Sequence, residues 1–122
     1  MAITPSASQL GETGENFVAT HLKNIGCTIL ARNWRVREGE IDIVAREGDG
    51  TILFVEVKTR TSVAYGDPLE GINREKLLRM QRLALAWLAT NQRLGNSYRI
   101  DVAGVLVSRS GEFNLDYRKG IL

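Results

Sequence analysis

The stretch Thr51-Ile-Leu-Phe-Val-Glu-Val-Lys-Thr-Arg60 decides how this chain folds and where its chemistry lies. It is dense in β-branched and aromatic residues, the composition of a strand. Successive side chains of a strand alternate faces. Leu53, Val55 and Val57 therefore share one face, and Ile52, Phe54, Glu56 and Lys58 share the other. An edge strand with one solvated face would be polar along its whole length. Here the second face starts apolar and ends in a carboxylate and an ammonium two residues apart. The pattern predicts a strand buried on both sides, with its charges gathered at one end.

The strand before it, Glu40–Arg46, repeats the anomaly. Ile41, Ile43 and Ala45 are expected on one face, Asp42 and Val44 on the other. Asp42 is an acid between two isoleucines. Burying a lone carboxylate is costly unless it is paired, hydrogen-bonded or bound to metal. Turn chemistry indicates whether the two acids meet. A three-residue loop, Gly48-Asp49-Gly50, sets Glu47 opposite Thr51 and carries the register on until Asp42 stands opposite Glu56. Such a loop wants a left-handed residue at its third position, where Gly50 stands. A two-residue turn would put Asp42 on the wrong face. An Asp42/Glu56/Lys58 cluster is therefore expected, and it has two readings. One is a structural ion pair, Lys58 neutralising Asp42 or Glu56. The other is a magnesium site, with manganese as a substitute. Two carboxylates supply hard oxygen ligands, water and phosphate complete the shell, and a lysine positions water or stabilises charge on the phosphate.

Working outward, the elements run α-β-β-β-α-β-β, an α/β fold with a mixed sheet flanked by helices in one domain. Residues 1–7 are expected as a flexible arm and 8–122 as the domain. Ser8 is the expected cap of a helix reaching about Ile25, with Leu10, Phe17, Val18, Leu22 and Ile25 as its stripe and Gly26 as its stop. Glu12 lies roughly 155° from the centre of that stripe and should be solvated. Glu15, roughly 95° away, stands at the border. It is either an ordinary boundary glutamate or a third acid reaching the sheet. Strands at Thr28–Arg35, Tyr98–Val107 and Phe113–Arg118 complete the sheet. The loop Thr61–Ile72 precedes a helix capped by Asn73 and reaching about Thr90. Leu77, Ala84 and Leu88 form its inner stripe, widened by Leu83 and Trp87. A helix between the third and fourth strands permits a parallel crossover. The breadth of its apolar face also permits a homodimer.

The 122 residues, 43% hydrophobic and 25% charged, exclude disorder and fit one core. The longest apolar run, Leu83–Ala89, is far short of the roughly 18 residues of a membrane span. The first residues lack a secretory pattern, and one cysteine, Cys27, with one histidine, His21, excludes a disulfide and a Cys/His zinc site. A reduced, cytoplasmic protein is expected. Net charge is only +2. Two basic clusters stand out, Arg32, Arg35 and Arg37 around Trp34, and Arg74, Lys76, Arg79 and Arg82 with Arg93. Each is either a solvated face or a phosphate contact. Trp34 either stacks on a base or packs. Arg60 continues the Glu56/Lys58 face, and Lys76 lies in the first turn of its helix, where free N–H groups favour anions. Tyr65-Gly66-Asp67-Pro68 is either a substrate loop or a plain connection. Arg99 and Asp101 share a face and are expected to pair structurally.

Gly11-Glu-Thr-Gly14-Glu15, Arg32-Asn-Trp-Arg35, Gly39-Glu-Ile-Asp42, Phe54-Val-Glu-Val-Lys58-Thr-Arg60, Tyr65-Gly66, Lys76 and Arg99-Ile-Asp101-Val together resemble the bacterial YraN-like family. That family is assigned to the restriction-endonuclease-like, PD-(D/E)XK nuclease fold and is similar to archaeal Holliday-junction resolvases. The resemblance implies that Asp42 and Glu56 are metal ligands, that Lys58 is the motif lysine, and that Glu15 is the first-helix glutamate of resolvase-like branches. Ile41 stands where the motif often has proline. The implied function is a metal-dependent endonuclease acting on nucleic acid, structured or branched DNA above all. Asp42, Glu56 and the Val57 carbonyl would hold magnesium, Lys58 would orient the attacking water, and Glu15 would assist it or bind a second metal. Arg32, Arg35, Arg37, Arg60 and Lys76 would meet phosphates. The alternative is a nucleic-acid-binding module on the same fold with little or no cleavage.

Overall fold

The computed structural model describes residues 6–61 and 67–122. Helix α1 spans Ala7–Asn24. Its cap is Ser6, whose hydroxyl accepts from the Gln9 N–H at 3.1 Å while the Gln9 side chain accepts from the Ser6 N–H at 2.9 Å. The expected cap, Ser8, is therefore inside the helix. A capping box needs Glu or Gln three residues on. Ser6 has Gln9 there, whereas Ser8 has Gly11. Ala7 opens the helix, and residues 1–5 of the expected arm lie outside the described residues. At the other end Gly26 takes φ 97°. Ile25 caps the helix at 56% exposure instead of joining the apolar stripe.

Strands β1 (Thr28–Val36), β2 (Gly39–Arg46) and β3 (Ile52–Arg60) precede α2 (Arg74–Thr90), and β4 (Tyr98–Val107) and β5 (Phe113–Arg118) follow it. The sheet order is β1-β2-β3-β4-β5. All pairs are antiparallel except β3–β4, which the α2 crossover makes parallel. The architecture is thus the expected α/β domain with a five-stranded mixed sheet. No helix among the described residues is long and apolar enough to cross a membrane.

The helices cover opposite sides of the sheet. Val18, Ala19 and Leu22 of α1 pack on Ile43, Ala45, Leu53, Val55, Val57, Ala103 and Val105. Met80, Leu83, Ala84, Trp87 and Leu88 of α2 pack on Ile41, Val44, Ile52, Phe54 and Ile100. Leu83 and Trp87 are 3% and 4% exposed. They are taken up by the core. Phe54 meets the rings of Trp87 and Tyr98 edge-on at 5.7 and 5.8 Å. Trp34 packs against this same cluster, which decides its role as packing.

Two local features place the site. The β2–β3 register runs from Arg46↔Ile52 to Ile43↔Val55, as the three-residue loop requires, with Gly50 at φ 93°. Beyond Ile43 the alternation of β2 breaks. Ile43 and Ala45 face the α1 side, but Ile41, expected beside them, belongs to the α2-side core. The break falls on Asp42. The second feature is Gly14, buried against the far end of β3. A Cβ there would lie 3.0 Å from both Cβ and Cγ2 of Thr59. Glycine lets α1 settle on that strand end and brings Glu15 to it.

Candidate active site

Asp42 sits where β2 and β3 part. In a continued register Val57 would pair with Ile41. Instead its N–H donates to Asp42 Oδ2 at 2.8 Å. The N–H and C=O of one strand residue point the same way, so the Val57 carbonyl faces the same opening. Burial, the neighbouring Glu56 charge, and more weakly Glu15 and Glu40 push the Asp42 carboxyl up to about 7, against the Val57 hydrogen bond. Four acids from α1, β2 and β3 thus share one electrostatic neighbourhood. Lys58 Nζ lies 3.4 Å from Glu56 Oε1, with both side chains largely buried.

Glu15 comes from α1. Burial raises its carboxyl, while Arg32 and a hydrogen bond from Asn33 pull it down; Glu40 and Glu56 raise it further. Arg32 Nη2 is 3.7 Å from Glu15 Oε1. Asn33 occupies a left-handed conformation at φ 51° within β1, which asparagine tolerates better than most residues. Glu12 is exposed, as its angle on the helix predicts.

Two clefts meet at Asp42. One, of about 330 Å³, is lined by Asp42, Glu56, Lys58, Lys76 and Arg79, together with Glu40. The other, of about 580 Å³, is lined by Glu15, Arg32, Asn33, Arg35, Glu40 and Asp42. Asp42 is therefore open to the α2 side and to the α1–β1 side. A third groove, of about 300 Å³, joins Glu15 to Val57, Lys58 and Arg60. Lys76, in the first turn of α2, lines the same cleft as Lys58. Lys58 beside it and burial lower its ammonium, while Glu56 opposes them.

The structure thus sets Glu15 and Arg32 with Asp42 in one cleft, Glu56, Lys58 and Lys76 with Asp42 in another, and Glu15, Val57 and Lys58 along a third groove. Arg35 is at the rim, 75% exposed, with its Nε 3.1 Å from Glu40 Oε2. Arg60 is exposed along the third groove and donates to the Thr59 carbonyl at 3.1 Å. Arg37 is exposed in the β1–β2 turn and lines none of these clefts. Of the expected substrate loop, Tyr65 and Gly66 lie outside the described residues, and Asp67 accepts from the Leu69 N–H at 2.8 Å. Sequence reasoning missed Glu40, Asn33 and Arg79 as site residues. Glu40 is two residues before Asp42 and Arg79 one turn after Lys76, so strand and helix periods carried a signal. Among the described residues, no three His, Cys, Asp or Glu side chains are arranged to hold a metal ion.

Arg99 and Asp101 form a separate structural network. Asp101 is fully buried and accepts from Arg99 Nε at 2.9 and 3.1 Å, from the Tyr117 hydroxyl at 2.6 Å and from the Gly120 N–H at 2.9 Å. Arg99 also reaches Glu47 at 2.9 Å.

Residues 14–105 match the family described as "Uncharacterised protein family UPF0102". A UPF0102 protein of Beutenbergia cavernae is 43% identical over 112 residues, 92% of this chain and 94% of that one. Another, from Parafrankia sp., is 45% identical over 114 residues, 93% and 96% of the two chains. Among solved structures, a repair endonuclease from Pyrococcus abyssi superposes with TM-score 0.45 at 20% identity, covering 88% of this chain and 40% of its own. An EndoMS–dsDNA complex gives TM-score 0.42 at 18% identity, covering 91% and 42%. The chain thus spans less than half the length of either of these two structures.

Proposed function

The chain belongs to the uncharacterised protein family UPF0102, and from the site it builds we propose that it is a metal-dependent nuclease hydrolysing phosphodiester bonds. The observation that carries this reading is the placing of Asp42. A half-buried carboxylate beside Glu56, at a gap where the Val57 carbonyl also points, is costly while it holds a charge alone. The same arrangement suits a hard divalent cation. Asp42, Glu56 and the Val57 carbonyl would hold magnesium or manganese, with water and phosphate oxygens completing the shell. When bound, the metal supplies charge neutralisation at the phosphate and a more acidic water.

The remaining roles belong to the chain's own residues. Glu56 orients the Lys58 ammonium, which directs the attacking water and stabilises charge on the phosphate. Glu15, held above the ordinary glutamate range, is suited to take a proton from that water. Arg32 keeps Glu15 in place, Lys76 meets the phosphate from α2, and Arg35, Arg37 and Arg60 are outer contacts. A preference for structured or branched DNA follows from the resemblance to resolvases.

Magnesium and manganese titrations of thermal stability test the ligand set, because only the folded chain assembles it. A panel of linear, flapped, branched and single-stranded substrates tests the chemistry. Glu56→Ala should lose both responses. Wild type that is neither stabilised by metal nor active on any substrate would reduce the cluster to an ion-pair network.

A further inference from the structure

We propose that the exposed side of α2 is the track along which a nucleic-acid strand enters the site, with Lys76 on the phosphate beside Lys58 and Arg79 and Arg82 on the phosphates that follow. This extends the nuclease reading and rests on it for the identity of the anion. The first argument is charge pairing. In the basic cluster of β1, Arg32 is engaged by Glu15 and Arg35 by Glu40. Helix α2 carries Arg74, Lys76, Arg79 and Arg82 against a single acid in its first turn, Glu75. Among the described residues, none of those four cations makes an ion pair.

The second argument is shape. A concavity of about 250 Å³ along α2 is lined by Gly71, Asn73, Glu75, Lys76, Arg79 and Arg82. Lys76 and Arg79 also line the cleft that holds Asp42, Glu56 and Lys58. The two hollows thus adjoin at Lys76 and Arg79, and the second holds the acids. Lys58 and Lys76 also line the same cleft; two like charges facing one hollow favour an anion between them, and Lys58 beside it lowers the Lys76 ammonium. Residues 76, 79 and 82 rise about 9 Å along the helix axis, against about 3.4 Å of duplex axis per phosphate of one strand.

The test is the salt dependence of binding, read by fluorescence anisotropy of labelled flapped and linear DNA in EDTA, where no cleavage interferes. Each lost phosphate contact lowers the slope of log affinity against log salt by about 0.9 on duplex. Arg79→Gln/Arg82→Gln should therefore flatten the slope by nearly 2 and weaken binding about tenfold or more at moderate salt. Arg79→Lys/Arg82→Lys should keep the slope, and Arg35→Gln should change it less than either glutamine substitution alone. A glutamine double variant with wild-type slope and affinity overturns the proposal. So does wild type that binds no nucleic acid at low salt, or that binds poly-glutamate as tightly as DNA. The two readings fail separately. A flattened slope with no cleavage by wild type keeps the track and removes the nuclease; cleavage with an unchanged slope does the reverse.

Discussion

Replacing Asp42 by asparagine should make the metal-free protein more stable at neutral pH, although it removes the central acid of the site. The folded protein holds the Asp42 carboxyl near 7, mainly through burial and the Glu56 charge, against an ordinary value of 3.8. Between those values the unfolded chain has released this proton and the folded chain has kept it. Stability from this group is therefore fully present below about pH 4 and is lost as pH rises towards 7. Each pH unit is worth about 1.4 kcal/mol, so the full loss is on the order of 4 kcal/mol. Asparagine stays neutral, and its carbonyl can still accept the Val57 N–H. In EDTA at pH 8, Asp42→Asn should thus melt roughly 10–15 °C above wild type, and the gap should close near pH 4. Calorimetry or circular dichroism across that range reads both numbers. A variant no more stable than wild type at pH 8, or a gap that does not depend on pH, would refute the claim that Asp42 is a strained, like-charged carboxylate. Magnesium at a hundred times its Kd should then narrow the gap, since it adds about 2.7 kcal/mol to wild type and little to the variant.

Lys58→Ala should retain the metal-linked stabilisation, or strengthen it, while single-turnover cleavage falls on the order of a hundredfold to a thousandfold; a wild-type rate would remove Lys58 from the chemistry. Gly14→Ala should cost about 1–3 kcal/mol by overpacking against Thr59, and Thr59→Ala in the same chain should recover part of it in denaturant melts. Asp101→Ala should cost about 1–3 kcal/mol by leaving the Tyr117 hydroxyl and the Gly120 N–H without their acceptor, while Arg99 keeps Glu47, with no change in the salt dependence of DNA binding. Asn73→Ala should cost about 1 kcal/mol, because the Asn73 side chain accepts from the Lys76 N–H at the start of α2.

Much of the fold was legible because its signals are local. The charges at the end of β3 placed a strand buried on both sides, and Gly48-Asp49-Gly50 set the β2–β3 register that the structure adopts. Asn73 marked the start of α2. Where the local reading slipped, a partner elsewhere decided. Ser6 outcompeted Ser8 because the cap that wins is the one with a glutamine three residues on. Leu83 and Trp87 looked broad enough for a second chain. A stripe's width gives the apolar area a helix must bury, not the surface that buries it, and here β2, β3 and β4 take Leu83 and Trp87.

The site was legible to the same depth and no further. Asp42 and Glu56 could be brought together by counting residues across one hairpin, because antiparallel pairing converts sequence distance into position. What period-2 alternation cannot express is its own failure at Asp42. There a side chain takes the Val57 N–H that a ladder bond would have used, β2 parts from β3, and Ile41 crosses to the α2-side core. That exchange costs a main-chain pairing, and it leaves Asp42 reachable from both sides of the sheet. The break in the pattern is therefore what opens Asp42 both to the cleft with Glu15 and to the cleft with Lys58 and Lys76. The acid responsible for it is the one whose charge the apoprotein tolerates least.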